Sequence, residues 1–205
     1  MKKISLLASL AALALAGNAT AQVCNGFPTV DGQASLSVLA NFPKDIDEFG
    51  VEGSYDLAGP LAVNAAYIRD SADGSSLNTF RAGASFDVTP ALRTVVPATV
   101  SVCPTASVAY THFSGITLLA IPVGVGVGAT LPMGTDGRSA LMPYVVPEVV
   151  IARISGGGDS AHETNFGLRG GAMVSFSQFF VGGEVNKVFT SGSDPVFGVR
   201  LGVKL

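Results

Sequence analysis

The sequence predicts an all-β protein, an antiparallel up-and-down transmembrane β-barrel of about ten strands, with eight as the alternative. Three observations carry this expectation. Large apolar residues alternate with small or polar ones at period two over most of the chain beyond residue 32. The 205 residues include 25 Gly, and only 13% are charged, a composition that suits neither helices nor a barrel exterior facing water. Short clusters of turn residues punctuate the alternation, as a meander of hairpins requires.

The chain opens with a different pattern. Lys2 and Lys3 precede the apolar run Ile4 to Ala16, and Ala19-Thr20-Ala21 supplies small residues for cleavage. These are the parts of a secretory signal peptide, expected over 1–21. The apolar run is too short to span a bilayer comfortably as a helix. Residues 22–32 then form a periplasmic N-terminal segment, and 33–205 the barrel domain.

Ten strands are expected near 33–42, 49–57, 61–69, 78–88, 99–113, 117–131, 142–153, 165–176, 179–189 and 195–205. The last is the clearest. Phe197, Val199, Leu201, Val203 and Leu205 alternate with Gly198, Arg200, Gly202 and Lys204, and a strand points the two sets to opposite faces. Leu119 to Leu131 has the same form, with Gly124, Gly126 and Gly128 on one face. Thr89 to Val100 is ambiguous. Pro90 and Pro97 suggest a long turn there with an irregular entry to the fifth strand. With both termini periplasmic, outward connections fall at 43–48, 70–77, 114–116, 154–164 and 190–194, of which 154–164 is the longest.

Which face meets lipid follows from bulk. Val, Leu, Ile, Phe and Tyr fill one side of each strand; Gly, Ser, Thr, Ala and scattered charges fill the other. A membrane barrel puts the first set outside and the second in the lumen. A soluble carrier barrel is the alternative, but so few charges could hardly coat it. Aromatics at Phe42, Phe49, Tyr67, Phe80, Phe86, Phe113, Phe166, Phe176, Phe179, Phe180, Phe189 and Phe197 lie near strand ends, as interfacial girdles do.

The inward set includes Glu52, Asp56, Arg81, Glu148, Arg169, Glu184, Arg200 and Lys204. Acids and bases balance, so a mutually paired lumen network is expected in preference to an ion-selective constriction, which favours one sign. Cys24 and Cys103 are the only cysteines. In an exported chain one disulfide is expected, with two free thiols as the alternative. The bond would close a loop of about 80 residues, worth on the order of 4 kcal/mol, and tether Cys24 to Asp31 as a flap or plug.

In these features the chain resembles the small bacterial outer-membrane β-barrel proteins. The carriers are Ala19-Thr20-Ala21, the hairpin meander and the final amphipathic strand Phe197 to Leu205. The family commonly ends on an aromatic residue, whereas this chain ends on Leu205. The resemblance implies outer-membrane localisation, with membrane lipid and the outer-membrane insertion machinery as partners and a monomeric barrel.

Chemical motifs are sparse. His112-Phe113-Ser114 is similar to the His-x-Ser arrangement of outer-membrane lipid A deacylases, with His112 as base and Ser114 as nucleophile. The plainer reading is a girdle histidine beside a turn serine. His162 near Asp159 and Glu163, and Asp45, Asp47 and Glu48, lack the ligand spacing of a metal site. Gly124, Gly126 and Gly128 lack the helix start and lysine of a phosphate loop. No metal or cofactor is expected. A formal charge of −3 without a basic cluster argues against nucleic acid. The expected function is non-enzymatic: envelope structure or surface interaction through the outer loops. A narrow pore for small solutes or ions is the second reading, and a lipid-modifying enzyme the third.

Overall fold

The computed structural model describes residues 23–25, 34–44, 47–57, 60–72, 75–97, 99–134 and 139–205. The expected signal segment, and residues 26–31 of the expected plug, lie outside the described residues. Eleven strands follow in order: β1 (Ala34–Phe42), β2 (Asp47–Asp56), β3 (Leu61–Ala72), β4 (Ser75–Phe86), β5 (Val100–Phe113), β6 (Ile116–Ala129), β7 (Leu131–Met133), β8 (Ser139–Gly156), β9 (Asp159–Phe176), β10 (Phe179–Val188) and β11 (Val196–Lys204).

Apart from β6 and β7, each strand pairs antiparallel with its sequence neighbours, β1 pairs with β11, and β6 pairs with β8. The three-residue β7 continues β6 against β8, with Gly128 opposite Tyr144 and Leu131 opposite Leu141. The sheet is therefore a closed barrel with ten wall positions, and closure leaves no free edge around the wall. The eight-strand alternative is excluded. The Leu205 N–H donates to the Ala34 carbonyl at 2.8 Å, so the two ends of the barrel chain meet at one rim, here termed basal.

Period-two alternation sets which side chain faces where. In β11, Phe197, Val199 and Leu201 are each more than half exposed, while Gly198, Arg200 and Gly202 are buried. Leu36, Val38, Phe49, Val51, Val123, Val125, Val149 and Ile151 are exposed in the same way on their strands. Serines, carboxylates and arginines are buried instead, among them Ser35, Ser37, Ser54, Glu52, Glu148 and Arg200. An apolar exterior around a polar interior is the arrangement of a membrane-spanning barrel.

The hairpin turns account for the positive backbone angles. Ser114 and Gly115 have φ of 46° and 81°, and Gly157 and Gly158 have 62° and 95°. Two-residue turns with both central residues at positive φ match the right-handed twist of paired strands.

Two expectations are corrected. Residues 154–164 are not a loop: β8 and β9 run 18 residues each and turn only at Gly157-Gly158. At about 3.3 Å per residue such strands reach roughly 60 Å, well beyond a crossing of about 10 residues. Phe180 is no girdle residue. It is fully buried and points into the lumen, because its neighbour Phe179 takes the outward position. The stretch after β4 is the long irregular turn that Pro90 and Pro97 suggest, and it contains a 3-10 turn, Thr89–Leu92. The Asp87 carboxylate accepts from the Thr89 N–H and hydroxyl, and the Val102 N–H donates to Thr89 Oγ1 at 2.8 Å.

Candidate functional site: the lumen and the apical wall

The lumen is filled in two layers. At the basal end, the 3-10 turn Val23–Asn25 lies inside the barrel, and Cys24 is joined to Cys103 of β5 with Cα atoms 5.9 Å apart. Val23 packs with Met142, Met173 and Phe180, all buried. The turn fits because the facing wall is glycine: a Cβ on Gly126 would strike Cys24, and one on Gly128 would strike Val23.

Above this apolar layer lies the charged one. Arg200 Nη2 is 2.9 Å from Glu52 Oε2 and 3.5 Å from Glu184 Oε2. Arg81 Nη2 reaches the other Glu52 oxygen at 3.2 Å, and Asn64 donates to that oxygen at 2.8 Å. Tyr144 O–H donates to Glu184 at 2.9 Å. Two arginines and two carboxylates from β2, β4, β10 and β11 thus form one chain across the lumen. Buried ions are tolerable only when paired and hydrogen-bonded in this manner.

Of the eight charged residues expected in the lumen, Glu52, Arg81, Glu184 and Arg200 are brought into direct contact. Glu148 and Arg169 line a cavity of about 70 Å³ together with Arg81, Asn64 and Asn186. Asp56 and Lys204 lie apart from this belt, toward the basal end. Lys204 Nζ donates to Ser175 Oγ at 2.9 Å, and Asp56 is buried. Asn64 and Tyr144 were not singled out from the sequence. Their inward parity, shared with Ala62 on β3 and Met142 on β8, was the available signal.

The apical wall is uneven. β9 pairs with β10 only from Gly167, opposite Val188, so residues 159–165 stand above the neighbouring wall. β5, β6, β8 and β9 rise there together. On the lumen-side face of this overhang, Phe113, Ile116, Leu118 and Ile154 are exposed, Ile116 at 51% and Ile154 at 45%. Ile116, Ile154, Gly156 and Ala161 line an apolar groove of about 540 Å³.

The His-x-Ser pair sits at the tip of the β5–β6 hairpin. Ser114 is a turn residue with φ 46°, and His112 Nδ1 lies 3.1 Å from Thr117 Oγ1. Among the described residues no group of three or more His, Cys, Asp or Glu could hold a metal ion.

No protein-family model and no curated protein sequence matches the chain. In fold it is similar to small bacterial outer-membrane β-barrels. The translocator domain of autotransporter NalP from Neisseria meningitidis has a TM-score of 0.48 at 10% identity, covering 84% of this chain and 87% of that one. Neisserial surface protein A has 0.44 at 12% identity, covering 84% and 94%. The N-terminal β-barrel domain of Pseudomonas aeruginosa OprF has 0.40 at 12%, covering 85% and 98%. The barrel rests on its own strand pairing, and these likenesses assign no role to it.

Proposed function

We propose that the chain is a non-enzymatic monomeric barrel of the bacterial outer membrane whose role is surface interaction, through the overhanging β5–β6–β8–β9 wall. The observation that carries this reading is the apolar groove on the overhang, where Ile116 and Ile154 stand exposed above the end of the β9–β10 pairing. Exposed apolar surface in an aqueous position is costly for a monomer and marks a contact site. The lumen supports the same reading. Its middle is crossed by the Glu52–Arg200–Glu184 chain, and its basal end is filled by Val23 and Cys24. A barrel filled in this way acts through its surface.

The test has two parts. Purified, refolded protein inserted in a planar lipid bilayer is expected to give no stable conductance steps. Bacteria displaying the protein are expected to attach to one another or to a surface, and to lose that attachment with Ile154→Asp. Stable single-channel steps, or attachment indifferent to the change, overturn the reading.

A narrow pore is the second reading, favoured by one observation. The cavity beside Arg81, Glu148 and Arg169 is polar and roomy enough for a few waters. Conductance lost on Arg81→Gln or Glu148→Gln would establish it.

A further inference from the structure

A second groove opens on the opposite side of the wall, toward lipid. It has a volume of about 520 Å³ and lies across β2, β3, β4 and β5. Small residues, Gly53, Ala65 and Ala82, form its floor, and Tyr67, Phe80 and Tyr110 stand around it. The Tyr67 and Phe80 rings pack tilted, with centroids 5.1 Å apart, which stiffens that side.

The next outward positions toward the apical end are polar. Arg69 is paired with Asn78, and Asn78 with His112, so three polar side chains occupy neighbouring places on the outer face. All three are exposed. The ion pairs among the described residues lie in the lumen, so none of them engages Arg69. Asn78 accepts the Tyr67 O–H through Oδ1 at 2.7 Å, which leaves its amide hydrogens to donate outward. His112 engages Thr117 through Nδ1, which leaves Nε2. At about 4.8 Å between strands, Arg69 and His112 stand roughly 10 Å apart, a span that one phosphate headgroup and the long arginine side chain bridge.

We propose that this groove binds one membrane lipid with a phosphomonoester headgroup, with an acyl chain over Ala65 and Ala82 and its phosphate held by Arg69, Asn78 and His112. Charge complementarity selects the occupant. The exterior of the barrel faces acyl chains, and the Arg69 guanidinium, in no ion pair among the described residues, stands at the apical end of the groove. A second copy of the chain fits poorly, because a two-fold contact on this face would bring the two Arg69 side chains together. The site is distinct from the apical groove of the proposed function and stands whether or not that reading holds.

The test is native mass spectrometry of the full folded protein in zwitterionic detergent, with phosphatidic acid and phosphatidylcholine of matched chains as probes. One phosphatidic acid is expected to be retained, preferred about tenfold over phosphatidylcholine, as a charge-assisted phosphate contact warrants. Arg69→Gln is expected to remove the preference while weak retention of both lipids persists. Ala82→Leu, which fills the groove, is expected to reduce retention of both. Heat-dependent migration on a gel confirms that each variant is folded, and Ala65→Val replaces Ala82→Leu if that variant does not fold. Equal retention of the two lipids overturns the proposal, as does a preference untouched by Arg69→Gln. Displacement of the lipid by inorganic phosphate would show an ion site only. A dimer that Ala82→Leu dissolves would assign the groove to a second copy.

Discussion

Arg200 Nη2 lies 2.9 Å from Glu52 Oε2 and so ties the last strand to the second, across β1. Because β1 and β11 form the pairing at which the barrel closes, this contact spans the closure seam. Both side chains are nearly inaccessible, at 5% and 1%. Removing the Glu52 charge leaves Arg200 with the longer 3.5 Å contact to Glu184 and takes the carboxylate away from Arg81. Glu52→Gln is expected to destabilise the folded barrel by about 3–5 kcal/mol, as breaking buried pairs does. Urea unfolding in detergent micelles measures this. A cycle combining Glu52→Gln with Arg200→Met is expected to show a coupling of about 1 kcal/mol or more. Additive effects would mean that the two residues act separately.

The disulfide and the charged belt close the lumen at different heights, which separates their effects. Reducing the Cys24–Cys103 bond frees the chain from a link across 79 positions. The chain-entropy model sets the loss on the order of 4 kcal/mol. A lower urea midpoint is therefore expected on reduction. The bilayer recording is expected to stay silent, since Glu52, Arg200 and Glu184 still cross the middle of the barrel. Steps appearing with reductant alone would show that the basal plug, and not the belt, is the seal.

How far the sequence reveals this architecture depends on whether both faces of a strand meet different surroundings. Where lipid lies on one side and the lumen on the other, alternation writes the facing of every residue. The ten expected strand positions therefore correspond to the ten wall positions, and Glu52, Arg81 and Arg200 could be placed inward from parity alone. Beyond Ile154 both faces of β8 and β9 become exposed, so alternation fades and the overhang reads as a loop. Phe179 and Phe180 are both aromatic, so composition does not distinguish the one facing lipid from the one packed under Val23. The partner choice of Arg200 depends on how β11, β1 and β2 are staggered, a relation among distant segments that no local pattern carries.

Gly126 offers a test of the plug that leaves the cysteines in place. Its Cβ position is occupied by the Cys24 backbone and side chain, so Gly126→Val denies the turn its seat against β6. The disulfide then has to form with Cys24 displaced from the wall. Thiol labelling of the denatured protein is expected to rise from none toward two per chain, while strand content by circular dichroism changes little. Gly53→Val is the control, since a Cβ there meets only the Ser35 carbonyl oxygen at 3.9 Å. Its labelling is expected to stay at the wild-type level.

The overhang should be separable from the barrel that carries it. Residues 159–165 of β9 have no partner on the β10 side, and the described lumen contacts of β8 and β9 involve residues nearer the basal end, such as Tyr144 and Met173. Cutting the hairpin back, so that Ala152 joins Glu163 through Asn-Gly, keeps the register in which those two residues already oppose each other. The shortened chain is expected to refold with an unfolding midpoint close to that of the full chain and to keep its heat-dependent migration. It is expected to lose cell attachment as completely as Ile154→Asp does. Attachment that survives the truncation would move the interaction surface to the apical turns that remain, among the described residues the β5–β6 turn at 114–115 and the β10–β11 connection near 190–194. A barrel that fails to refold would make the tall wall part of the folding unit.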